Sequence, residues 1–339
     1  MTSFDAAAAA RAAMETAGVP PAPTGPAPDV AGTVLRPDGI AIRHALWHAA
    51  PGRPQTGSVL LLQGRGEFIE KYAEVAGRLT AMGRHVLAID WRGQGRSGRM
   101  LADPTIGHID DFDRYLDDLD AVMAGPGASL PRPLAVLGHS MGGHLGLRWV
   151  VERVAAGRAG GPGAAIAPDR LIMTAPMIGI RMVPPMGTMV PALARIMCRR
   201  GLSDRFAAGQ GPGRAGNGRF QGNILTHDPA RWARERALIA ADPALHLGGT
   251  SWGWLAAAFR SITIARQAAV ARGRDIRLPV TIISAGAERV VDNRAHLWLA
   301  GQLPSAEVIV APGAFHEILM ETDRLAEPVW SALAARLSG

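Results

Sequence analysis

The apolar run Pro133-Leu134-Ala135-Val136-Leu137 meets Gly138-His139-Ser140-Met141-Gly142-Gly143 without a polar spacer, and a helix-compatible segment follows over residues 144–151. This order of strand, tight turn and helix constrains the fold more than any other stretch, because the turn forces the serine backbone into a strained conformation. The flanking positions must then lack side chains that would clash, which is the use of the glycines. A Gly-x-Ser-x-Gly turn in such a context lifts a serine hydroxyl to the carboxyl end of a strand, beside a helix start. Ser140 is therefore the expected nucleophile. Glycine is abundant, 41 of 339 residues, and the pattern recurs at Gly249-Thr250-Ser251-Trp252-Gly253. No buried strand precedes that second copy, which reads as a chance match.

A serine hydroxyl needs a base to take its proton and a third group to orient that base. Both follow downstream. The β-branched run Leu278-Pro279-Val280-Thr281-Ile282-Ile283-Ser284-Ala285-Gly286 is strand-like, and it opens into Ala287-Glu288-Arg289-Val290-Val291-Asp292-Asn293, which offers two acids. A second such run, Ala306-Glu307-Val308-Ile309-Val310, leads through Pro312-Gly313-Ala314-Phe315 to His316. Serine, acid, histidine is the chain order of α/β-hydrolases, distinct from the other serine-protease orders. His316 is the expected general base.

Three further stretches carry a family resemblance. Gln63-Gly64-Arg65-Gly66-Glu67 with Lys71-Tyr72 resembles the His-Gly-x-Gly-Glu…Arg-Tyr signature of the monoacylglycerol lipase and bacterial lysophospholipase branch of α/β-hydrolases. Asp90-Trp91-Arg92-Gly93-Gln94-Gly95-Arg96-Ser97-Gly98 resembles its Asp-x-x-Gly-x-Gly-x-Ser loop, and residues 138–143 its serine turn. Residues 288–293 and 313–317, Leu225-Thr226-His227-Asp228 and residues 247–255 look most like the bacterial lysophospholipases. The resemblance runs from about Val34 to the C-terminus.

It implies an α/β-hydrolase fold, a mostly parallel sheet with helices on both faces and an inserted, mainly helical cap. It implies cleavage of a carboxylic ester of a lipid, foremost a lysophospholipid, through an acyl-enzyme on Ser140. Monoacylglycerol lipase and small-ester carboxylesterase are the alternatives within the fold. A binding protein that keeps the fold without turnover is the alternative of another class, and a complete serine–acid–histidine set argues against it. The resemblance places the family's catalytic aspartate on Glu288. Asp292 stays as the alternative acid, and the acid not used would serve a salt bridge or a loop cap. In this fold the oxyanion is held by the amide after the nucleophile and one from the loop after an early strand, here Met141 and Arg65. Gln63 stands where the family has histidine. Both oxyanion donors are main chain, so the hole should survive, with Gln63 supplying the lost bracing by hydrogen bonding.

Short apolar runs alternate with amphipathic segments elsewhere, as a parallel sheet covered on both faces requires. Expected strands are Val59-Leu60-Leu61-Leu62, residues 85–90, 133–137 and 170–175, with helices over 69–82 and 109–123 and a leading hairpin around Asp38-Gly39. Residues 1–28, Ala-rich and then Pro-rich, read as a flexible tail before a single domain over 29–339. They lack the basic and apolar regions of a secretory signal, and no run of about 18 apolar residues suits a transmembrane helix. About a hundred residues separate the strand ending at Ala175 from the one beginning at Leu278, far more than a crossover helix needs. A cap at about 177–256 is expected there. It holds a Met/Pro-rich stretch (177–191) that suits an acyl-chain pocket or core packing alike, and it ends on Trp252 and Trp254 as substrate-binding residues.

The formal net charge is +7, from 36 Lys+Arg against 29 Asp+Glu, and Lys71 is the only lysine. Arg195, Arg199, Arg200 and Arg205 lie close enough in sequence to meet anionic headgroups together, although arginine excess also follows from codon usage. Peripheral contact with a membrane surface is compatible with this charge. No basic-aromatic pattern points to nucleic acid, and no obligate protein partner is implied. The single Cys198 excludes an internal disulfide and fits a reducing, cytoplasmic compartment. No cofactor fingerprint is present. His44 and His48 have helical ligand spacing but fall in a strand, and His316-Glu317 lacks the second histidine of a zinc motif, so no metal is expected.

Overall fold

The computed structural model describes residues 25–154, 167–213 and 219–338. Most of the predicted tail and part of the Gly/Arg-rich loop at 209–218 lie outside the described residues. In chain order the elements are β1 (Val30–Leu35), β2 (Ala41–Trp47), β3 (Gly57–Leu62), α1 (Ala73–Ala81), β4 (Arg84–Ile89), α2 (Asp113–Ala124), β5 (Leu134–His139) and α3 (Met141–Arg148). They continue with β6 (Arg170–Thr174), α4 (Met186–Arg199), α5 (Pro229–Ala241), α6 (Trp252–Arg272), β7 (Val280–Ala285), α7 (Asn293–Ala300), β8 (Ala306–Ala311) and α8 (Asp323–Ser338).

The strands form one sheet in the order β1-β2-β4-β3-β5-β6-β7-β8. β1, β2 and β4 pair antiparallel, and every pairing from β4 to β8 is parallel. β3, β4, β5 and β7 are buried along their whole length, which explains why they read as continuous apolar runs rather than alternating ones. The helix expected at 69–82 opens as a single tight turn, Ile69–Tyr72, before α1. The helix expected from 109 starts only at Asp113, because the Asp111 carboxylate accepts the Asp113 amide at 3.0 Å and holds an Asx turn.

One topological fact positions the site. From β3 the chain goes to β4 on one side, then returns to lay β5 on the other, so the carboxyl ends of β3 and β5 are neighbours where the order reverses. In open α/β sheets such a crevice is where ligands bind.

Three helices fill the long stretch between β6 and β7. α4 lies on α6, and α6 lies on α3. Ala194, Ala207 and Trp252 make a small apolar cluster there. α5 begins under Asp228, whose carboxylate accepts the Ala230 and Arg231 amides. Ala237 and Leu238 join Phe68 and Leu245 in an apolar cluster, and buried charge adds a second fastening, Arg231 Nε and Arg234 Nη1 donating to Glu74 at 3.0 and 2.8 Å. Among the described residues no helix is long and apolar enough to cross a membrane.

Candidate active site

Two loops emerge side by side from β3 and β5. The turn after β5 holds Ser140 at φ 50° and ψ −114°, a region costly for a residue with a Cβ. The motif glycines make it feasible. A Cβ on Gly142 would lie 2.1 Å from the Leu62 carbonyl oxygen at the end of β3, and one on Gly138 would lie 2.6 Å from the Gly143 Cα. The Ser140 amide donates to Thr174 O at 2.9 Å, and its carbonyl accepts from Met177 N at 3.0 Å, so β6 fixes the turn from the other side.

The loops after β7 and β8 are stitched together by Gly286 N to Ala311 O (2.8 Å) and Ala287 N to Ala314 O (2.9 Å). That pairing brings the acid loop beside His316. The His316 Nε2 is 2.9 Å from Ser140 Oγ, and its Nδ1 is 2.8 Å from Glu288 Oε2. The other Glu288 oxygen accepts the amides of Arg289 and Val290 at 2.9 and 2.7 Å. Burial alone would raise the Glu288 carboxyl, but the hydrogen bond and charge of His316, with the Val290 and Val291 amides, outweigh it and hold the group below its ordinary range. Asp292 points elsewhere. It caps α7, accepting Arg294 N at 3.0 Å, with the Arg294 guanidinium 4.0 Å away.

The Met141 amide is the first of α3, where an N–H has no intrahelical acceptor. Across from it, Gly64 packs against the serine: a Cβ built there would be 3.3 Å from Ser140 Cβ. The loop on either side of Arg65 is pinned, Gly64 N donating to Glu67 Oε2 and Gly66 N to Gln94 Oε1, each at 2.6 Å. The Arg65 guanidinium donates to Gly248 O at 2.8 Å and lies 5.2 Å from the Trp254 ring centroid.

Gln63 corrects an expectation. Its side chain is buried, and among the described residues neither amide atom has a hydrogen-bond partner. The bracing falls instead to Glu67 and Gln94. Both stood in the motifs, but nothing in their spacing said which main-chain amides they would hold. Trp252 and Trp254 are also buried, the first in the α4–α6 cluster and the second against Phe112 and the Arg65 guanidinium. The Met/Pro-rich stretch splits: Met177 is buried, while Met186 and Met189 face solvent, which neither expectation foresaw.

Ser251 is fully buried, caps α6 through Trp254 N at 3.0 Å and meets His108 Nδ1 at 2.9 Å, with no strained backbone. His139, unremarked in sequence, lies beside His316 with ring centroids 4.9 Å apart and the rings tilted by 57°. Burial pushes its imidazole down to about 4, so it stays neutral near pH 7. His44 is buried in β2, whereas His48 lies beyond the strand end and faces His85 Nδ1 at 3.2 Å. Among the described residues no group of three His, Cys, Asp or Glu could hold a metal ion.

The profile of the serine aminopeptidase S33 family matches residues 53–323. Lysophospholipase L2 of Escherichia coli strain K12 is 37% identical over 281 residues, 79% of this chain and 76% of that one. The monoacylglycerol lipase of Mycolicibacterium smegmatis is 25% identical over 291 residues, 84% of this chain and 89% of its own length. Among solved structures, a soluble variant of monoglyceride lipase from Saccharomyces cerevisiae superposes with a TM-score of 0.66 at 19% identity, covering 93% of this chain and 98% of the other.

Proposed function

Since the chain belongs to the serine aminopeptidase S33 family and is a serine hydrolase of α/β-hydrolase fold, we propose that it is a lysophospholipase acting through an acyl-enzyme on Ser140. The observation that carries this reading is the continuous relay from Ser140 Oγ through His316 to Glu288, with contacts of 2.9 and 2.8 Å. Likeness to lysophospholipase L2 supplies the substrate class.

In this mechanism Ser140 Oγ attacks the acyl carbonyl carbon while His316 Nε2 takes the hydroxyl proton. Glu288 holds the Nδ1–H tautomer and stabilises the imidazolium. The developing oxyanion is held by the Met141 and Arg65 amides, preorganised and water-poor. His316 then gives its proton to the leaving glycerol oxygen, and the headgroup alcohol departs. Water, deprotonated by His316, attacks the acyl-enzyme, and the fatty acid leaves as Ser140 recovers its proton.

The stretch at about 177–256 is read as a cap, with α4 its membrane-facing side. Val183, Met186, Met189, Leu193 and Ile196, half of the ten exposed large hydrophobics among the described residues, crowd into residues 183–196. Arg195, Arg199 and Arg200 are exposed beside them, and no acid occurs from 177 to 203. An apolar stripe flanked by cations suits the interface of an anionic bilayer, where lysophospholipid resides.

A fluorophosphonate probe should label Ser140. A panel of lysophosphatidyl lipids, monoacylglycerols, short p-nitrophenyl esters and N-terminal prolyl peptides should show the highest kcat/KM on the first class. Preference for acetyl esters or prolyl peptides would overturn the lysophospholipid reading.

A further inference from the structure

The only lysine in the chain is buried, and three buried carboxylates converge on it. Lys71 Nζ is 2.8 Å from Glu67 Oε1, 2.7 Å from Glu317 Oε1 and 3.5 Å from Glu235 Oε2. Each carboxylate belongs to a different part of the site. Glu67 takes the Gly64 amide at 2.6 Å and so sets the loop carrying Arg65. Glu317 directly follows His316, and its own amide is tied to Leu225 O at 2.8 Å. Glu235 lies on α5, within the stretch between β6 and β7.

One ammonium facing three carboxylates is an expensive way to hold a fold, since buried ion pairs often stabilise no more than apolar residues of equal volume. What apolar side chains could not supply is fixed distance and direction. Tyr72 adds to this, its hydroxyl donating to Glu67 Oε2 at 2.8 Å. Burial raises Glu67, but the charge and hydrogen bond of Lys71, with the Tyr72 hydrogen bond, outweigh it and hold the carboxyl down at about 2. Burial pushes Glu317 up, Lys71 pulls it down, and the neighbouring Glu235 and Glu67 tip the balance upward.

We propose that Lys71 is a positioning residue: it clamps the oxyanion loop through Glu67 to the histidine loop through Glu317, and extends the clamp to α5 through Glu235. The donors for the oxyanion and the imidazole that serves the same tetrahedral centre are thereby held at one separation. A misplacement of about 1 Å in such a constellation costs on the order of 10²-fold in rate. The proposal rests on the serine-hydrolase reading above but not on the identity of the lipid.

The test compares the wild type with Lys71→Met, Lys71→Arg, Glu317→Gln and Glu235→Gln. Each is assayed for kcat and KM on p-nitrophenyl butyrate and for the rate at which a fluorophosphonate modifies Ser140, with thermal midpoints recorded. Lys71→Met should lower kcat and the labelling rate together by about 10²-fold, with KM within a few-fold of wild type. Lys71→Arg, which keeps the charge and the hydrogen bonds, should recover most of the loss. If Lys71→Met does not fold, Glu317→Gln carries the test, with a smaller fall in both rates at an unchanged midpoint. Wild-type rates in Lys71→Met, or losses that follow the thermal midpoints and are not relieved by arginine, overturn the clamp. A wild type labelled at Ser140 yet inert on every ester would instead fault the ester reading, while its labelling rates still report on Lys71.

Discussion

Two serines share one sequence pattern, and their environments assign them opposite duties. Ser140→Ala should abolish fluorophosphonate labelling and ester turnover while the protein stays folded. Ser251→Ala should leave both nearly intact and instead lower stability by about 1 kcal/mol, the usual loss for a helix cap, read from urea unfolding. The two acids divide in the same way. Glu288→Gln should lower kcat by about 10⁴-fold, as for other triad acids. Asp292→Asn should change little, because asparagine caps a helix as well as aspartate does. Ester kinetics rank the pair, and the reverse order would transfer the role to Asp292. The serine, acid loop and histidine that the structure brings together were legible as an order along the chain. Which carboxylate faces the imidazole was not, because it depends on how Gly286 and Ala287 pair with the neighbouring loop. The duties of Glu67 and Gln94 were hidden for a related reason. Each holds a main-chain amide, and main-chain partners leave no mark on the identity of the residue they belong to.

The core elements were legible because fully buried strands are mostly apolar, and β3, β5 and β7 follow this, with only Ser58, His139, Thr281 and Ser284 polar among them. The residues themselves showed the helices between β6 and β7 only as a surplus of length, and their helical character came from the family resemblance. α5 shows why: it docks through Arg231 and Arg234, residues that a hydropathy pattern assigns to solvent. Its anchor has a pH signature. Burial would raise the Glu74 carboxyl, but the hydrogen bonds and charges of Arg231 and Arg234 win and hold it below its ordinary value of 4.5. The unfolded chain therefore takes up this proton first as pH falls. The stabilisation is complete above about pH 4.5 and is lost as pH drops through the lower folded value. The stability gap between wild type and Glu74→Gln, measured by urea unfolding, should narrow over that interval. At α4, Leu193→Asp should weaken sedimentation with phosphatidylglycerol vesicles while sparing hydrolysis of p-nitrophenyl butyrate, because Leu193 is exposed on a helix that packs on α6. Unchanged sedimentation would remove α4 from the membrane contact.

At the scale of the whole molecule, a net charge of +7 and an apolar stripe would act on a membrane-borne substrate by different routes. Attraction of cations to anionic lipid weakens with ionic strength over a Debye length of about 8 Å at physiological salt, whereas burial of an acyl chain does not. If the cap encloses the chain, kcat/KM should climb several-fold per pair of carbons, since each buried methylene contributes up to about 0.8 kcal/mol, and then level off. This dependence, measured below the micelle concentrations, should persist in salt that abolishes vesicle binding. Activity that falls from butyryl to longer chains would exclude an enclosed acyl site. The burial of Lys71 has a consequence of another kind. No other side chain in the protein carries a primary amine, so reagents that acylate lysine meet no side-chain amine at the surface. Adduct at Lys71 should therefore accumulate only as fast as the domain opens, and its mass would serve as an unfolding clock that needs no introduced label.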